Sequence, residues 1–381
     1  MDKVDELLSR GVKEVLPDKD ALAKLMQKRK IKVYLGIDPS NPQIHLGNAV
    51  ALRKLAQFQQ LGHKVILLIG DFTGMIGDPT DKSATRKKLT KEEVEQNAKT
   101  YKEQAAKILR FDGPSAAEIK FNSQWLDKLS SRDWIELISN FTEQQLDERD
   151  MYVARKKEGK PVFMHELVYP IMQGYDSVAM DVDLEVGGTD QTFNMLVGRH
   201  LMKTLKNKEK FVLTVPLLIG ADGQKMGKST GNFIQIDDKP ADMFGKIMSI
   251  RDDLLQQYFE LGTDVDPKSV DLSKPMAAKK KLAYEIVKIY HGEKAAKAAQ
   301  QEFESVHQKG SAPENLNISV KENISLIEAV STLVSSKSQA KRLIDQGAVE
   351  IDGQVVREGK IKTKKGQVLK VGKKTYAKVG E

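Results

Sequence analysis

Between residues 31 and 69 the chain reads as strand, helix and strand, and this unit constrains the fold more than any other feature. Ile31 to Ile37 (IKVYLGI) is a short β-branched run that stops at Asp38-Pro39, where proline cannot continue a ladder. Gly47 to Leu61 places Leu52, Leu55, Phe58 and Leu61 near helical spacing, and Gly62-His63 closes the helix. Val65 to Ile69 is apolar throughout, as a strand covered on both faces must be. Two buried strands joined by a helix predict a parallel sheet with a right-handed crossover. Ligands of such sheets bind beyond the carboxyl ends of the strands.

Downstream, Glu92 to Leu109 and Asp133 to Glu148 read as helices, and Phe163 to Tyr175 mixes aromatic, methionine and polar residues on a further helix. Val212 to Ile219 reads as another apolar strand, followed by the glycine-bearing loop Ala221 to Asn232. From Lys239 to about Val306 the pattern is helical and charged. Residues 307–322, with Gly310 and Pro313, have linker composition. From Ser325 onward one or two helices precede short strands at 349–351 and 368–371. The expected architecture is therefore α/β, with a parallel-sheet domain followed by a helical domain and a small α+β domain.

Charge locates a second property. Residues 320–381 hold thirteen Lys or Arg against seven Asp or Glu, so this segment supplies +6 of the net +8. A concentrated basic surface gains affinity for phosphate backbones by releasing counterions, which points to nucleic acid. A lysine-rich solvated face has the same composition. With no cysteine and six scattered histidines, the chain has no disulfide framework and no structural zinc site. No run of about eighteen apolar residues is present, and Met1 to Asp18 lacks an apolar signal core. The expectation is a cytoplasmic protein with no membrane partner.

Two segments carry chemistry. His45-Leu46-Gly47-Asn48 follows the first strand at the entry to a helix, where unpaired N–H groups and a partial positive charge stabilise phosphates. Gly47 removes the side chain that would keep a planar base off the backbone. The same four residues also suit a plain helix cap. Lys225-Met226-Gly227-Lys228-Ser229 lies on a loop flanked by Gly223 and Gly231, and its two lysines suit a clamp on a polyphosphate or, equally, a solvated basic loop.

Together these segments resemble the paired motifs of the class I aminoacyl-tRNA synthetases, usually written HIGH and KMSKS, in the same order. Residues 31–232 resemble the tyrosyl branch through Tyr34 to Ser40, Gly70 to Thr80, Asn122 to Trp125, Tyr169 to Asp176 and Gly187 to Gln191. The resemblance implies a Rossmann-like nucleotide-binding catalytic domain over residues 1–234 with an insert at about 120–185, a helical anticodon-side domain over 235–306, a linker over 307–322 and an RNA-binding domain over 323–381. It implies that tyrosine, ATP with Mg2+ and tRNA(Tyr) are the substrates, with no resident metal, and that the enzyme is a homodimer whose interface lies in the insert.

By the same resemblance, Tyr34 and Asp176 hold the phenol hydroxyl, while Asp78, Tyr169 and Gln173 hold the α-ammonium group. Tyr169, Gln173 and Asp176 are spaced i, i+4, i+7 and so share one helical face. Asp38, Ser40, Gly47, Gly188, Asp190 and Gln191 line the ATP and adenylate pocket. His45, Asn48, Lys225, Lys228, Ser229, Lys82 and Arg86 act on the phosphates, and Lys337, Lys341, Arg342, Lys373 and Lys374 meet the RNA backbone. Asn48 stands where the family usually has histidine, Gly227 where serine is common, and Thr192-Phe193 where many relatives carry Trp-Gly. The tryptophanyl branch shares both phosphate motifs but has no counterpart of Tyr34 paired with Asp176. A nucleotidyltransferase with a similar histidine motif, or a non-catalytic RNA-binding protein of synthetase shape, leaves either the lysine loop and tail or the intact motifs unexplained.

Overall fold

The computed structural model describes residues 2–78, 89–147, 149–227, 231–308, 318–372 and 375–380. Lys82, Arg86, Lys228, Ser229, Lys373 and Lys374 lie outside the described residues. Two compact units are present, residues 1–239 with 246–290, and residues 240–245 with 291–381.

The first unit is built on a six-stranded sheet of β1 (Glu14–Leu16), β2 (Lys32–Ile37), β3 (Lys64–Ile69), β4 (Glu118–Phe121), β5 (Leu184–Gly188) and β6 (Phe211–Val215), in the order β1-β6-β5-β2-β3-β4. All pairs are parallel except β1 with β6. From β2 the chain crosses to β3 on one side, whereas from β5 it crosses to β6 on the other. The crevice beyond the carboxyl ends of β2 and β5 is thus a topological switch point, the place where open α/β sheets take their ligands. Helix α1 (Leu46–Gln60) is the β2–β3 crossover and packs on β2, β3 and β5, burying Leu52, Leu55 and Phe58 completely. Helices α2 (Met164–Met180) and α3 (Thr192–Lys206) pack on each other. Their close approach depends on two glycines, since a Cβ on Gly174 would lie 3.0 Å from the Gly198 nitrogen.

The predicted strand–helix–strand unit is present with its ends shifted by one residue. Three other elements differ from expectation. The helix expected over 92–109 is two helices, Lys91–Ala98 and Tyr101–Ala105. At the break, Thr100 donates to the Pro42 carbonyl at 2.7 Å and Tyr101 to that of Asn41 at 2.6 Å. Gln104 completes this clasp, taking the Ile44 N–H on Oε1 and giving Nε2 to the Pro42 carbonyl, both at 2.7 Å, so the break fixes the loop that leads into His45. The helix expected over 133–148 ends at Ile138, and a second begins at Glu143 because Thr142 caps a new turn, its Oγ1 accepting the Gln145 N–H at 3.2 Å. The strand expected to reach Ile219 stops at Val215, since Pro216 has no N–H to give the ladder. The region from 239 onward is helical as expected, with Pro240–Met248, Leu255–Gly262, Pro275–His291 and Glu293–Gln308.

The second unit carries a separate five-stranded sheet of β7 (Ser319–Lys321), β8 (Val349–Ile351), β9 (Gln354–Val355), β10 (Val368–Val371) and β11 (Thr375–Gly380), in the order β7-β11-β10-β8-β9. Helices α4 (Leu326–Ser331) and α5 (Lys337–Asp345) bury Leu326, Val330, Ala340 and Ile344 in a core shared with Leu369 and Val379 of the sheet. The expected small α+β domain is therefore present, and Lys337, Lys341 and Arg342 stand on the exposed face of α5.

At the amino end of β2, His63 is buried, with its ring 5.9 Å from that of Phe58, and its Nδ1 accepts the Ile31 N–H at 3.2 Å. Burial pushes its imidazole down to about 4, helped by the charge of Lys30. The fold favours the neutral ring, so its contribution to stability is complete above pH 6.5 and is lost as the pH falls through about 4. The melting temperature is expected to drop across this window, and the drop should be shallower in His63→Gln. Identical pH profiles for the two proteins would refute this role.

Candidate active site

Tyr34, completely buried at mid-β2, faces the crevice from its floor, and Asp38 stands just past the end of the strand. Strand register sets Tyr34 beside Glu185 of β5. The Tyr34 hydroxyl shares a 2.9 Å hydrogen bond with Ser177 Oγ, and burial, with the charges of Glu185 and Asp176, keeps this phenol protonated well above its ordinary range. Asp176, on the inward face of α2, is 2% exposed. Its Oδ1 accepts the Trp125 indole N–H at 2.7 Å and its Oδ2 accepts Asn122 Nδ2 at 3.3 Å. Burial raises this carboxyl well above the ordinary carboxylate range against the pull of those two donors.

Asn122 links this end of the crevice to the next, because its Nδ2 also donates to Thr73 Oγ1 at 3.0 Å and Thr73 donates to Asp38 Oδ1 at 2.6 Å. The second Asp38 oxygen accepts the Tyr169 hydroxyl at 2.7 Å. Gly70 makes this possible, since a Cβ there would lie 2.1 Å from Asp38 Oδ1 and 2.4 Å from Thr73 Oγ1.

A second chain of polar groups runs through the amides. Gln173 Oε1 and Gln191 Oε1 accept Asn194 Nδ2 at 2.9 and 3.1 Å, and Gln191 Nε2 donates to Asp78 Oδ2 at 2.7 Å. Arg149, 6% exposed, meets Asp78 Oδ1 at 3.2 Å and lies over the rings of Tyr152 and Phe193. Burial raises the Asp78 carboxyl against the attraction of Arg149. Asn194 Oδ1 is buried without a hydrogen-bond partner among the described residues, an acceptor held ready at the same spot.

His45 and Asn48 close the entrance to α1 with a capping box, in which the Asn48 N–H donates to His45 Nδ1 and the His45 N–H donates to Asn48 Oδ1, both at 3.3 Å. The cap and the functional motif are the same residues. With Nδ1 an acceptor, the imidazole proton sits on Nε2, and Asn48 keeps its NH2 group as a donor. The group nearest above Gly47 is the His45 ring, 3.0 Å from where a Cβ would stand, so the glycine makes room for the imidazole. Across the crevice Lys225 pairs with Asp190 at 2.6 Å, and Gly188 admits the Asp190 carboxylate, which a Cβ would approach to 2.6 Å. Ser40 is exposed in a turn closed by its own N–H on the Asp38 carbonyl at 2.8 Å.

Asp38, Tyr169 and Asp176 thus fall on one hydrogen-bonded chain and Asp78, Gln173 and Gln191 on another, with Tyr34, the His45–Asn48 cap and the Lys225–Asp190 pair beside them. Glu185, Asn194, Ser177, Arg149 and Lys210 belong to those chains or line them and were not foreseen. The only sequence signal for any of them is the charged residue inside the stretch 184–188, LEVGG. Lys210 gave none, because it ends the charged run KNKEK that reads as a solvated loop.

Residues 26–308 match the family described as tRNA synthetases class I (W and Y), and residues 329–369 match the S4 domain. The tyrosine–tRNA ligase of Thermotoga maritima is 43% identical over 98% of this chain and 96% of its own length. That of Haemophilus influenzae is 45% identical over 98% and 95%. The chain belongs to the tyrosyl-tRNA synthetases. A C-terminally truncated mitochondrial tyrosyl-tRNA synthetase of Aspergillus nidulans has the same fold, with a TM-score of 0.69 over 80% of this chain and 94% of its own at 23% identity. The Archaeoglobus fulgidus tyrosyl-tRNA synthetase, solved with L-tyrosine, gives 0.62 over 78% and 98% at 22% identity, again a likeness of fold. This synthetase is a tyrosine–tRNA ligase that activates tyrosine with ATP and transfers it to tRNA. The tryptophanyl alternative is set aside by the same relatives.

Substituting Gly70 tests the first chain directly. Gly70→Ala must displace the Asp38 carboxylate from Tyr169 and Thr73, at the cost of about 1–3 kcal/mol typical of overpacking. Tyrosine-dependent pyrophosphate exchange should fall by roughly tenfold or more while the protein still melts cooperatively. Unchanged exchange would show that the Asp38 contacts are dispensable.

Proposed function

We propose that tyrosine lies in the crevice with its phenol between Tyr34 and Asp176, its α-ammonium against Asp78, Tyr169 and Gln173, and its carboxylate toward ATP. The observation that carries this reading is the Asp176 carboxylate, buried at the inner end with one neutral donor on each oxygen. Each oxygen keeps a further lone pair, and a phenol O–H is the group that suits it. Asp78, Gln173 and the unpartnered Asn194 Oδ1 concentrate acceptors where an ammonium needs them.

ATP enters as its magnesium complex, a substrate rather than a resident cofactor. A tyrosine carboxylate oxygen attacks the α-phosphorus, the bond to the β-phosphate oxygen breaks, and pyrophosphate leaves. No protein nucleophile takes part. His45 Nε2–H and the Asn48 amide donate to phosphate oxygens as the phosphorus becomes five-coordinate, so the capping box sets the aim of both. Asp38, Ser40, Gly47, Gly188, Asp190 and Gln191 line the nucleotide side, with a carboxylate available to ribose hydroxyls. The Lys225–Asp190 pair is half exposed and therefore weak, so ATP can take Lys225 onto its phosphates and release Asp190. Lys82, Arg86, Lys228 and Ser229 complete the phosphate contacts in this reading. In the second step a ribose hydroxyl of the tRNA 3′ end attacks the adenylate carbonyl and AMP leaves.

The helical region 235–306 and the domain at 323–381, whose sheet also takes in Ser319–Lys321 from the end of the expected 307–322 linker, take the tRNA, with Lys337, Lys341, Arg342, Lys373 and Lys374 on its phosphates. The enzyme acts in the cytoplasm as a homodimer joined through the insert at 120–185. Exposed Ile135, Val153, Phe163 and Met164 in that insert support such an interface.

Pyrophosphate exchange into ATP should be stimulated by tyrosine alone among the twenty amino acids. His45→Ala should slow that exchange by about 100-fold or more with little change in the KM for tyrosine, as for a contact made mainly in the transition state. An equal loss in tyrosine binding would remove His45 from this role.

A further inference from the structure

We infer that a buried ion pair, Glu185 with Lys210, orients the Gln173 amide and thereby sets how the site receives the α-ammonium of tyrosine. The inference rests on the assignment of Gln173 to that ammonium. Lys210 is completely buried at the residue before β6, and Glu185 is 2% exposed on β5. The Lys210 ammonium donates to Glu185 Oε2 and, at 3.0 Å, to the Met195 carbonyl, and it lies 5.8 Å from the centre of the Tyr34 ring. All three of its directions are thus taken by an anion, a dipole and an aromatic face. The room for it is kept by Gly198, where a Cβ would stand 2.8 Å from Lys210 Nζ and 3.0 Å from Ser177 Oγ.

The other Glu185 oxygen, Oε1, accepts Gln173 Nε2 at 3.2 Å. A carboxamide turned over by 180° has nearly the same shape, so only its partners decide which end is oxygen. An ionised carboxylate can only accept, and therefore fixes NH2 toward β5. Asn194 Nδ2, 2.9 Å away on the opposite side, requires oxygen there. Gln173 Oε1 is consequently turned toward the Asp78 end, where an ammonium needs an acceptor. A neutral group at 185 could donate as well as accept and would lose this control. Lys210 supplies the opposite charge on the far oxygen of Glu185, without which the buried carboxylate would stand uncompensated. Glu185 and Lys210 are positioning residues, because neither is asked to touch the substrate.

Two competitors of tyrosine separate this role from general support of the pocket. Tyramine has both the phenol and the ammonium, while 4-ethylphenol has the phenol alone. In Glu185→Gln and in Lys210→Met, inhibition of exchange by tyramine should weaken about tenfold, the usual worth of a charge-assisted hydrogen bond, while 4-ethylphenol and the KM for ATP hold within about twofold. The double variant Glu185→Gln/Lys210→Met carries no buried charge and nearly the original volume, so it should fold even where a single variant does not, and should show the same selective loss. Equal weakening of both competitors, or of neither, would overturn the inference. Gln173→Ala distinguishes the two levels. If it fails to weaken tyramine selectively, the ammonium assignment itself is wrong, whereas a selective loss in Gln173→Ala without one in the Glu185 and Lys210 variants refutes only the ion-pair role.

Discussion

Strands β2 and β5 lie side by side and parallel, and the chain leaves them toward opposite flanks. Everything at the site depends on that one adjacency. Because no connection can cover the gap between two departing strands, a crevice opens at their carboxyl ends, lined by whatever side chains stand there. Here Asp38 follows the end of one strand and Gly188 ends the other, while Tyr34 and Glu185, paired in register, stand deeper along the two strands. The helix that follows β2 contributes its amino end, with His45 and Asn48, and α2 crosses the crevice with Tyr169, Gln173 and Asp176 on its inward face.

Burying so many polar groups is tolerable only when nearly all are hydrogen-bonded, and the two chains through Asn122 and Asn194 show how that is met. Each link constrains the next. The carboxylates of these chains, and the Asn194 amide oxygen that has no partner among the described residues, stand where the proposed reading sets substrate groups of complementary character. The glycines at 70, 188 and 198 are part of the same arrangement, since each admits a charged group where a Cβ would collide with it.

Much of this was legible in the sequence. The β2–α1–β3 unit could be read because each element has a strong period of its own and a stop, at Pro39 or Gly62. The breaks at 99–100 and 139–142 could not, because contacts with a distant loop and a second cap overrode a continuous helical pattern. β5 escaped notice because Glu185 and the paired glycines disguise a buried strand of five residues. Its charge is acceptable only because Lys210, twenty-five residues later, is folded against it.

By itself the sequence determined the class of fold, the two motifs that resemble those of the class I synthetases and, through its resemblance to the tyrosyl branch, the residues to expect at the pocket. Such features are local, written in periodicity, turn residues and short motifs. Only the tertiary structure decided that His45 and Asn48 cap each other so that the proton sits on Nε2. It alone showed that Lys225 rests on Asp190, that Arg149 meets Asp78, and that a lysine from an apparently solvated run lies fully buried under Tyr34. The physical reason is that hydrogen-bond direction and the partner of a buried charge depend on groups far apart in the chain. No local pattern encodes their distance.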